Sequence, residues 1–143
     1  MNDIGASFVA AEAVPTPHDV ASRARLSVIM VVYMTGEALD QSLACVLADS
    51  QVDEFIVVDN GSDPCEAAIL DDFARRHPRM RLVRGQGNVG FARGANLGAD
   101  AATGDVLIFL NPDAFLQPGC AQVLARAVLD GCPLRLVGGR VLN

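Results

Sequence analysis

No lysine occurs in this chain, and all eleven of its basic residues are arginine. That bias reads as a property of the coding genome before a property of function. Seventeen acidic residues outnumber the basic ones, for a net charge of -6. A nucleic-acid surface needs a basic face, so no nucleic-acid partner is expected. The one cationic concentration is Arg75, Arg76, His77, Arg79, Arg81 and Arg84. It reads as a solvated helix end and edge strand, with a peripheral contact to anionic lipid or phosphate as the alternative. Cys45, Cys65, Cys120 and Cys132 show neither CxxC nor metal-ligand spacing, so they are expected as buried, reduced thiols. No apolar run approaches the length of a membrane span. The early "IGASFVAAEAV" is interrupted by Glu12 and lacks a basic start, which excludes a signal peptide. The cytoplasm is the expected location, with the inner face of the membrane as the peripheral option.

About half of the residues are hydrophobic, enough to bury the core of one domain but not of two. Residues 1–25, with Pro15 and Pro17, read as a poorly ordered leader. From Leu26 a rhythm begins. "LSVIMVVY" predicts a buried strand, and Glu37 to Ala48 a helix with Leu39, Leu43, Val46 and Leu47 on one face. "EFIVVD" predicts a second strand, followed by a helix from about Pro64 to Arg76 with Ile69 and Phe73 inward. "MRLVR" is a shorter third strand and Asn88 to Ala102 a third helix. "DVLIFL" is a fourth strand, expected to be buried on both faces. Cys120, Val123, Leu124, Ala127 and Val128 make a helical stripe, and "LRLVG" is a candidate fifth strand. The fold class is therefore α/β, a mainly parallel sheet with helices on both faces. Right-handed crossovers place all strand carboxyl ends on one edge, where ligands of such sheets bind. The segments "MTGE", "DNGSD", "GQGNVG" and "NPD" should converge on that crevice.

Several features there bear on chemistry. Asp59 ends the second strand before a turn-forming Asn60-Gly61-Ser62, and it is either a turn residue or a ligand contact. Asp63 is better explained as a helix cap, with Pro64 at the first helical position and Glu66 placed to complete a capping box. Gly85, Gly87 and Gly90 match G-x-G-x-x-G, which keeps an NAD- or FAD-binding redox domain as a rival reading. Gly90, Gly94 and Gly98 recur every fourth residue on one helical face, although each interior glycine costs roughly 1 kcal/mol against alanine. Close packing accounts for Gly98, whereas Gly90 and Gly94 suit approach of a diphosphate to the helix N-terminus. Arg93 and Asn96 share a face, and a guanidinium there suits phosphate. Asp113 across the crevice would repel phosphates unless a cation intervened. A magnesium-like ion held by Asp113 and substrate phosphates resolves the conflict, with Asn111 as a neutral ligand.

Together, "SVIMVVYMTGEALDQSLACVL", "IVVDNGSD", "GNVGFARGANLGA" and "LIFLNPDAFLQPG" resemble the nucleotide-binding half of inverting family 2 glycosyltransferases of the GT-A fold. The resemblance runs from about Leu26 to Asn143, and Asn-Pro-Asp points to the bacterial rhamnosyltransferase-like subgroup, an association with polysaccharide biosynthesis. It implies a Rossmann-like half-domain that binds a UDP- or dTDP-sugar and a divalent metal, Mg or Mn. The acceptor would be a sugar or lipid-linked saccharide. Asp59 would contact the base, and Asn88, Gly90, Arg93 and Asn96 would lie along ribose and diphosphate. Asn111 and Asp113 would serve the diphosphate, with Asp113 on the metal. Met34 stands where the family commonly has asparagine, leaving Thr35 as a substitute contact. The family's general base lies in its second half, and after Asp113 only Asp130 is acidic. Residues 26–143 are therefore expected to be a donor-binding half, truncated before the acceptor half and inactive alone. A catalytically dead nucleotide-binding or interaction module is the remaining alternative.

Overall fold

Seven consecutive buried residues, Leu26–Val32, form the strand β1. The computed structural model, which describes residues 24–129 and 136–139, explains why no polar position interrupts that apolar run except Ser27. β1 is interior to the sheet. It pairs in parallel with β2 (Glu54–Asp59) on one side and β4 (Val106–Phe109) on the other, and β3 (Met80–Val83) lies beyond β2. The order is β3-β2-β1-β4, so the direction of strand addition reverses at β1.

Alternate residues of each strand face opposite layers. Val28, Met30, Val32, Phe55 and Val57 face helices α1 (Ala38–Ala48), α2 (Pro64–Arg76) and α4 (Cys120–Leu129), meeting Leu39, Leu43, Leu70, Ala121 and Ala125. Ile29, Val31, Ile56 and Val58 face α3 (Phe91–Ala101) alone, against Ala95 and Ala99. The glycines let α3 sit this low. A Cβ on Gly98 would lie 2.4 Å from Ile29 Cγ2, and one on Gly94 would lie 2.9 Å from Val31 Cγ1. Gly94 therefore belongs to packing, not to the diphosphate approach that its spacing suggested.

Other expectations also need correction. β4 is buried on one face only, with Leu107 38% and Phe109 51% exposed, because it is an edge strand that α3 does not cover. α3 starts at Phe91, not Asn88, since Gly90 takes φ +80° and Asn88 Oδ1 folds back to accept from the Gly90 amide. On α4 the deeply buried residues are Ala121 and Ala125, while Val123 is 67% exposed. Small side chains permit the closer approach, so they set the buried face. Cys65 is exposed in the first turn of α2, and Cys45 and Cys120 are half-buried, so none of these three is the fully buried thiol expected. Residues 136–138 carry no strand, while 134 and 135, the leader up to residue 23, Asp130 and Cys132 lie outside the described residues.

The cationic concentration is absorbed by the fold. Arg75 and Arg76 pair with Asp72, and Arg79 donates to the carbonyls of Leu47, Asp49 and Val52 below the end of α1. Arg81 reaches Glu54 and the Ala101 carbonyl, and Arg84 reaches Asp59 and Asp71. His77 stacks on Phe73. At the amino ends of the strands, buried Glu54 accepts from the Ser27 hydroxyl, the Thr103 amide and Arg81. Burial alone would raise its pKa. The Thr103, Ser27 and Arg81 bonds and the arginine charge outweigh burial and hold the carboxyl below its ordinary value. Among the described residues no helix is long and apolar enough to cross a membrane.

Candidate functional site

The reversal at β1 leaves a gap beyond the carboxyl ends of β1 and β4, the place where ligands bind in open α/β sheets. A crevice of about 350 Å3 occupies it, lined by Val31, Tyr33, Asn60, Asn88, Gly90, Phe91 and Pro112. Residues following every strand contribute. A larger open groove of about 700 Å3 lies between α1 and α2, lined by residues such as Asp40, Ala44, Ile69 and Asp72. No strand-end loop reaches that groove, so the smaller crevice is the chemical candidate.

Asn60 holds the crevice together. Its side chain is almost wholly buried, its amide nitrogen donates to Asn88 Oδ1 at 3.1 Å, and its own Oδ1 accepts from the Val89 amide at 3.0 Å. The loop after β2 thereby fixes the loop after β3. Asn88 in turn accepts from the Gly90 amide at 2.9 Å, which sets the entry into α3. At Gly90 a side chain would be strained by its φ of +80°, although the space beyond it is open. The first amides of α3 have no partner within the helix, and its dipole favours an anion there. Arg93 and Asn96 stand on the exposed side of the helix, outside the crevice lining.

Asp59 takes the turn role that its sequence position offered, and it is not among the residues lining the crevice. Oδ1 accepts from the amides of Gly61 and Ser62 at 3.2 and 2.9 Å, an Asx turn. Oδ2 lies 3.5 Å from Arg84 Nε. Burial opposes the charge on Asp59. The amide and side chain of Ser62, the Gly61 amide and the Arg84 cation outweigh burial and keep its pKa below the usual value. Asp63 caps α2 as expected, accepting from the Cys65 and Glu66 amides at 2.8 and 2.9 Å. The expected capping box is not closed, however. Glu66 is buried and its Oε1 accepts from the Gly36 amide at 2.8 Å, tying the loop after β1 to α2. In that loop Met34 adopts φ +48° and Tyr33 turns out to the crevice. The Thr35 hydroxyl is buried without a partner among the described residues and does not line the crevice.

Asn111 and Asp113 are exposed on the turn after β4, either side of the lining Pro112. The turn is closed by the Ala114 amide donating to the Asn111 carbonyl at 3.1 Å. Among the described residues no three His, Cys, Asp or Glu side chains gather as a metal site. Gly85 and Gly87 form an exposed turn after β3, the edge strand farthest from the reversal, which is the wrong place for a dinucleotide fingerprint. Sequence reasoning thus found Asn88 and Gly90 in the crevice and missed Tyr33, Asn60 and Phe91. A polar residue directly after a buried strand was the available signal for Asn60.

A family model described as "Glycosyl transferase family 2" matches residues 27–141. The chain belongs to this family. It is 27% identical over 106 residues to glycosyltransferase GlyG of Streptococcus pneumoniae, a match spanning 73% of this chain and 35% of GlyG. An uncharacterized glycosyltransferase of Haemophilus influenzae is 33% identical over 92 residues, 64% of this chain and 37% of the relative. Among solved structures, the mannosyltransferase PcManGT of Pyrobaculum calidifontis, in complex with GDP-Man and Mn2+, superposes with a TM-score of 0.66 at 25% identity. That match covers 84% of this chain and 35% of PcManGT. S. aureus TarS 1-349 superposes at 0.63 with 19% identity, over 74% of this chain and 32% of its own, a likeness of fold. The chain spans about a third of the length of each of these proteins. Its parallel sheet covered by helices is the Rossmann-like arrangement of the GT-A fold.

Proposed function

We propose that these residues are the donor-binding part of an inverting glycosyltransferase that takes a UDP- or dTDP-sugar and passes the sugar to a hydroxyl of a saccharide or lipid-linked saccharide. The observation that carries the reading is the crevice at the β1 reversal, with Gly90 at the open end of α3 on one wall and Pro112 on another. The α3 amides receive the diphosphate, and Arg93 in the first turn adds positive charge. Tyr33 and Phe91 supply aromatic faces, Asp59 contacts the base, and Asn88 and Asn96 serve the ribose.

A divalent ion fits Asp113 only together with substrate, because a single carboxylate must be completed by diphosphate oxygens and water. Mg or Mn held there, with Asn111 beside it, would neutralise charge on the departing diphosphate. The presence of Mn2+ with a nucleotide sugar in the PcManGT complex supports this assignment. The Asn-Pro-Asp turn supports the rhamnosyltransferase-like subgroup. Activating the acceptor hydroxyl requires a base, and among the described residues no acidic side chain follows Asp113. Donor binding without turnover is therefore the proposed behaviour of these residues alone.

Titration with UDP, dTDP and NAD, with and without Mn2+ or Mg2+, tests the reading. Metal-dependent binding of a uridine or thymidine diphosphate is expected, and Asp113→Ala should remove the metal dependence while leaving weak nucleotide binding. Tighter binding of NAD, indifferent to metal, would overturn the proposal.

A further inference from the structure

Tyr33, Met34 and Thr35 lead from β1 toward α1 between two anchors. On one side the Asn60 amide donates to the Val32 carbonyl at 2.9 Å. On the other, the Gly36 amide donates to Glu66 Oε1 at 2.8 Å, and the Gly36 carbonyl accepts from the Leu39 amide at 3.2 Å. Between the anchors Met34 sits at φ +48°, a conformation disfavoured for any residue with a side chain. Released from either anchor, Met34 would relax toward negative φ and carry its neighbour Tyr33 with it. Tyr33 is 48% exposed and lines the crevice. Glu66 gains little stability from this arrangement. It is buried in the first turn of α2, and its Oε2 has no partner among the described residues. Burying a half-matched carboxylate is costly, and the helix N-terminus offsets only part of that cost. What the carboxylate supplies, and an apolar residue could not, is the acceptor for Gly36.

We infer that Glu66 is a positioning residue of the crevice: through the Gly36 amide it holds the loop after β1 in the shape that presents Tyr33 to the nucleotide. The inference rests on the reading of the crevice as a nucleotide site to which Tyr33 supplies an aromatic face. Glu66 is not among the residues lining the crevice, so it acts on a ligand only through the loop. Without the tie, Met34 relaxes and Tyr33 samples other positions. The loop must then be ordered each time a nucleotide binds, and that ordering subtracts from affinity. The role needs an acceptor and not a charge. Glutamine, whose amide oxygen also accepts from an N–H, should therefore serve in its place.

The chain has one tyrosine and no tryptophan, so its intrinsic emission reports on Tyr33 alone. The test takes two readouts on the 143-residue chain: acrylamide quenching of that emission without ligand, and the Kd for UDP in Mn2+ by calorimetry. Glu66→Ala should raise quenching by up to about twofold, the step from half-exposed to free. It should also weaken UDP by about tenfold. Glu66→Gln should quench like wild type and bind UDP within about threefold of it. Tyr33→Ala should weaken UDP by about tenfold, and adding Glu66→Ala should then weaken it by less than about twofold more, because the residue being positioned is gone. If Glu66→Ala does not fold, Glu66→Met, which refills the volume and still lacks the acceptor, is measured in its place. A purely structural carboxylate would lower the melting temperature of Glu66→Ala and leave quenching and UDP affinity as in wild type, which overturns the inference. Additive losses from Tyr33→Ala and Glu66→Ala overturn it too, and leave the crevice a nucleotide site. Wild type that binds no nucleotide, with Tyr33 still released by Glu66→Ala, removes the reading of the crevice and with it the role given to the loop.

Discussion

Replacing Gly98 with alanine sets two known effects against each other at one position. In the interior of a helix the change should stabilise by about 1 kcal/mol through helix propensity alone. The added Cβ would, however, lie 2.4 Å from Ile29 Cγ2 and 3.2 Å from Val58 Cγ2. Carbon atoms attract best at roughly 3.5 to 4.0 Å, so the first contact is short by more than about 1 Å. Ile29 is 1% exposed on a central strand. Its β-branched side chain has little freedom at χ1, so α3 must lift or the strand must shift. Overpacking of this kind costs about 1 to 3 kcal/mol. The net expectation is a loss of about 1 kcal/mol, and for a domain of this size a fall in Tm of about 3 to 5 °C. Gly94→Ala should come out closer to neutral, because its shortest contact is 2.9 Å, to the end of the strand at Val31. Urea denaturation followed by circular dichroism measures both. A rise in midpoint for Gly98→Ala would refute the seating of α3 on the sheet. Unchanged stability with loss of nucleotide binding would show that the glycine face belongs to a ligand instead.

Three other predictions concern polar groups. Arg79→Ala should cost about 2 kcal/mol, because three carbonyls around the end of α1 lose a charged donor. Lysine at that position should restore only part of the loss, which urea midpoints would reveal. Asn60→Ala removes the bridge to Asn88 and Val89 and should weaken UDP binding about tenfold or more, the worth of one lost buried partner, with secondary structure intact by circular dichroism. Glu54→Gln should reduce stability at pH 7 by about 2 kcal/mol, since one amide cannot accept from Ser27, Thr103 and Arg81 together. The pH dependence has a definite sign. The folded pKa of Glu54 lies below its ordinary 4.5, so its contribution is complete above that value and is lost as pH falls through the folded pKa. The gap between wild type and Glu54→Gln should therefore close on acidification below pH 4.5. A gap that stays constant through that range would refute the charge assignment.

The fold was largely legible because its signal is redundant. Four apolar runs alternate with helical periodicity, and either half of that rhythm implies a parallel sheet covered by helices. Local geometry was less legible. "VLIF" has the same composition whether a strand is interior or at an edge, and only the pairing partners decide which face of β4 is covered. Cys120, Val123 and Leu124 outweigh Ala121 and Ala125 in hydrophobicity, yet the alanines are the residues buried. Glu66 satisfies the capping-box pattern and serves another loop, because its buried carboxylate finds the Gly36 amide. At the site, Asn88 and Gly90 follow from motif position. Asn60 does not, since turn-forming residues carry no mark of a cross-loop hydrogen bond. The pairing of Asp59 with Arg84 is likewise invisible to spacing, because it joins two neighbouring strand ends.

The two ends of the sheet differ in how far the fold engages their polar groups. At the amino ends each carboxylate accepts at least one hydrogen bond from a neighbouring element. Asp53 accepts from the Leu26 amide, Asp105 from the Arg25 amide, and Glu54 from Ser27, Thr103 and Arg81. At the carboxyl ends the polar groups are only partly engaged. Asp59 has one oxygen on the turn amides and the other 3.5 Å from Arg84 Nε, Thr35 has a buried hydroxyl without a partner among the described residues, and Met34 is held at positive φ. Such residues cost stability, and they persist only where the surroundings over-determine them. Here the surroundings are the Glu66 bond to Gly36 and the Asn60 bond to Asn88. A loss at the amino end should therefore lower stability and leave nucleotide affinity unchanged. A loss at the carboxyl end should change that affinity before it changes the melting temperature. The assignment of function to one edge of the sheet rests on that separation. Glu54→Gln weakening nucleotide binding as strongly as Asn60→Ala would show that the edges are not independent.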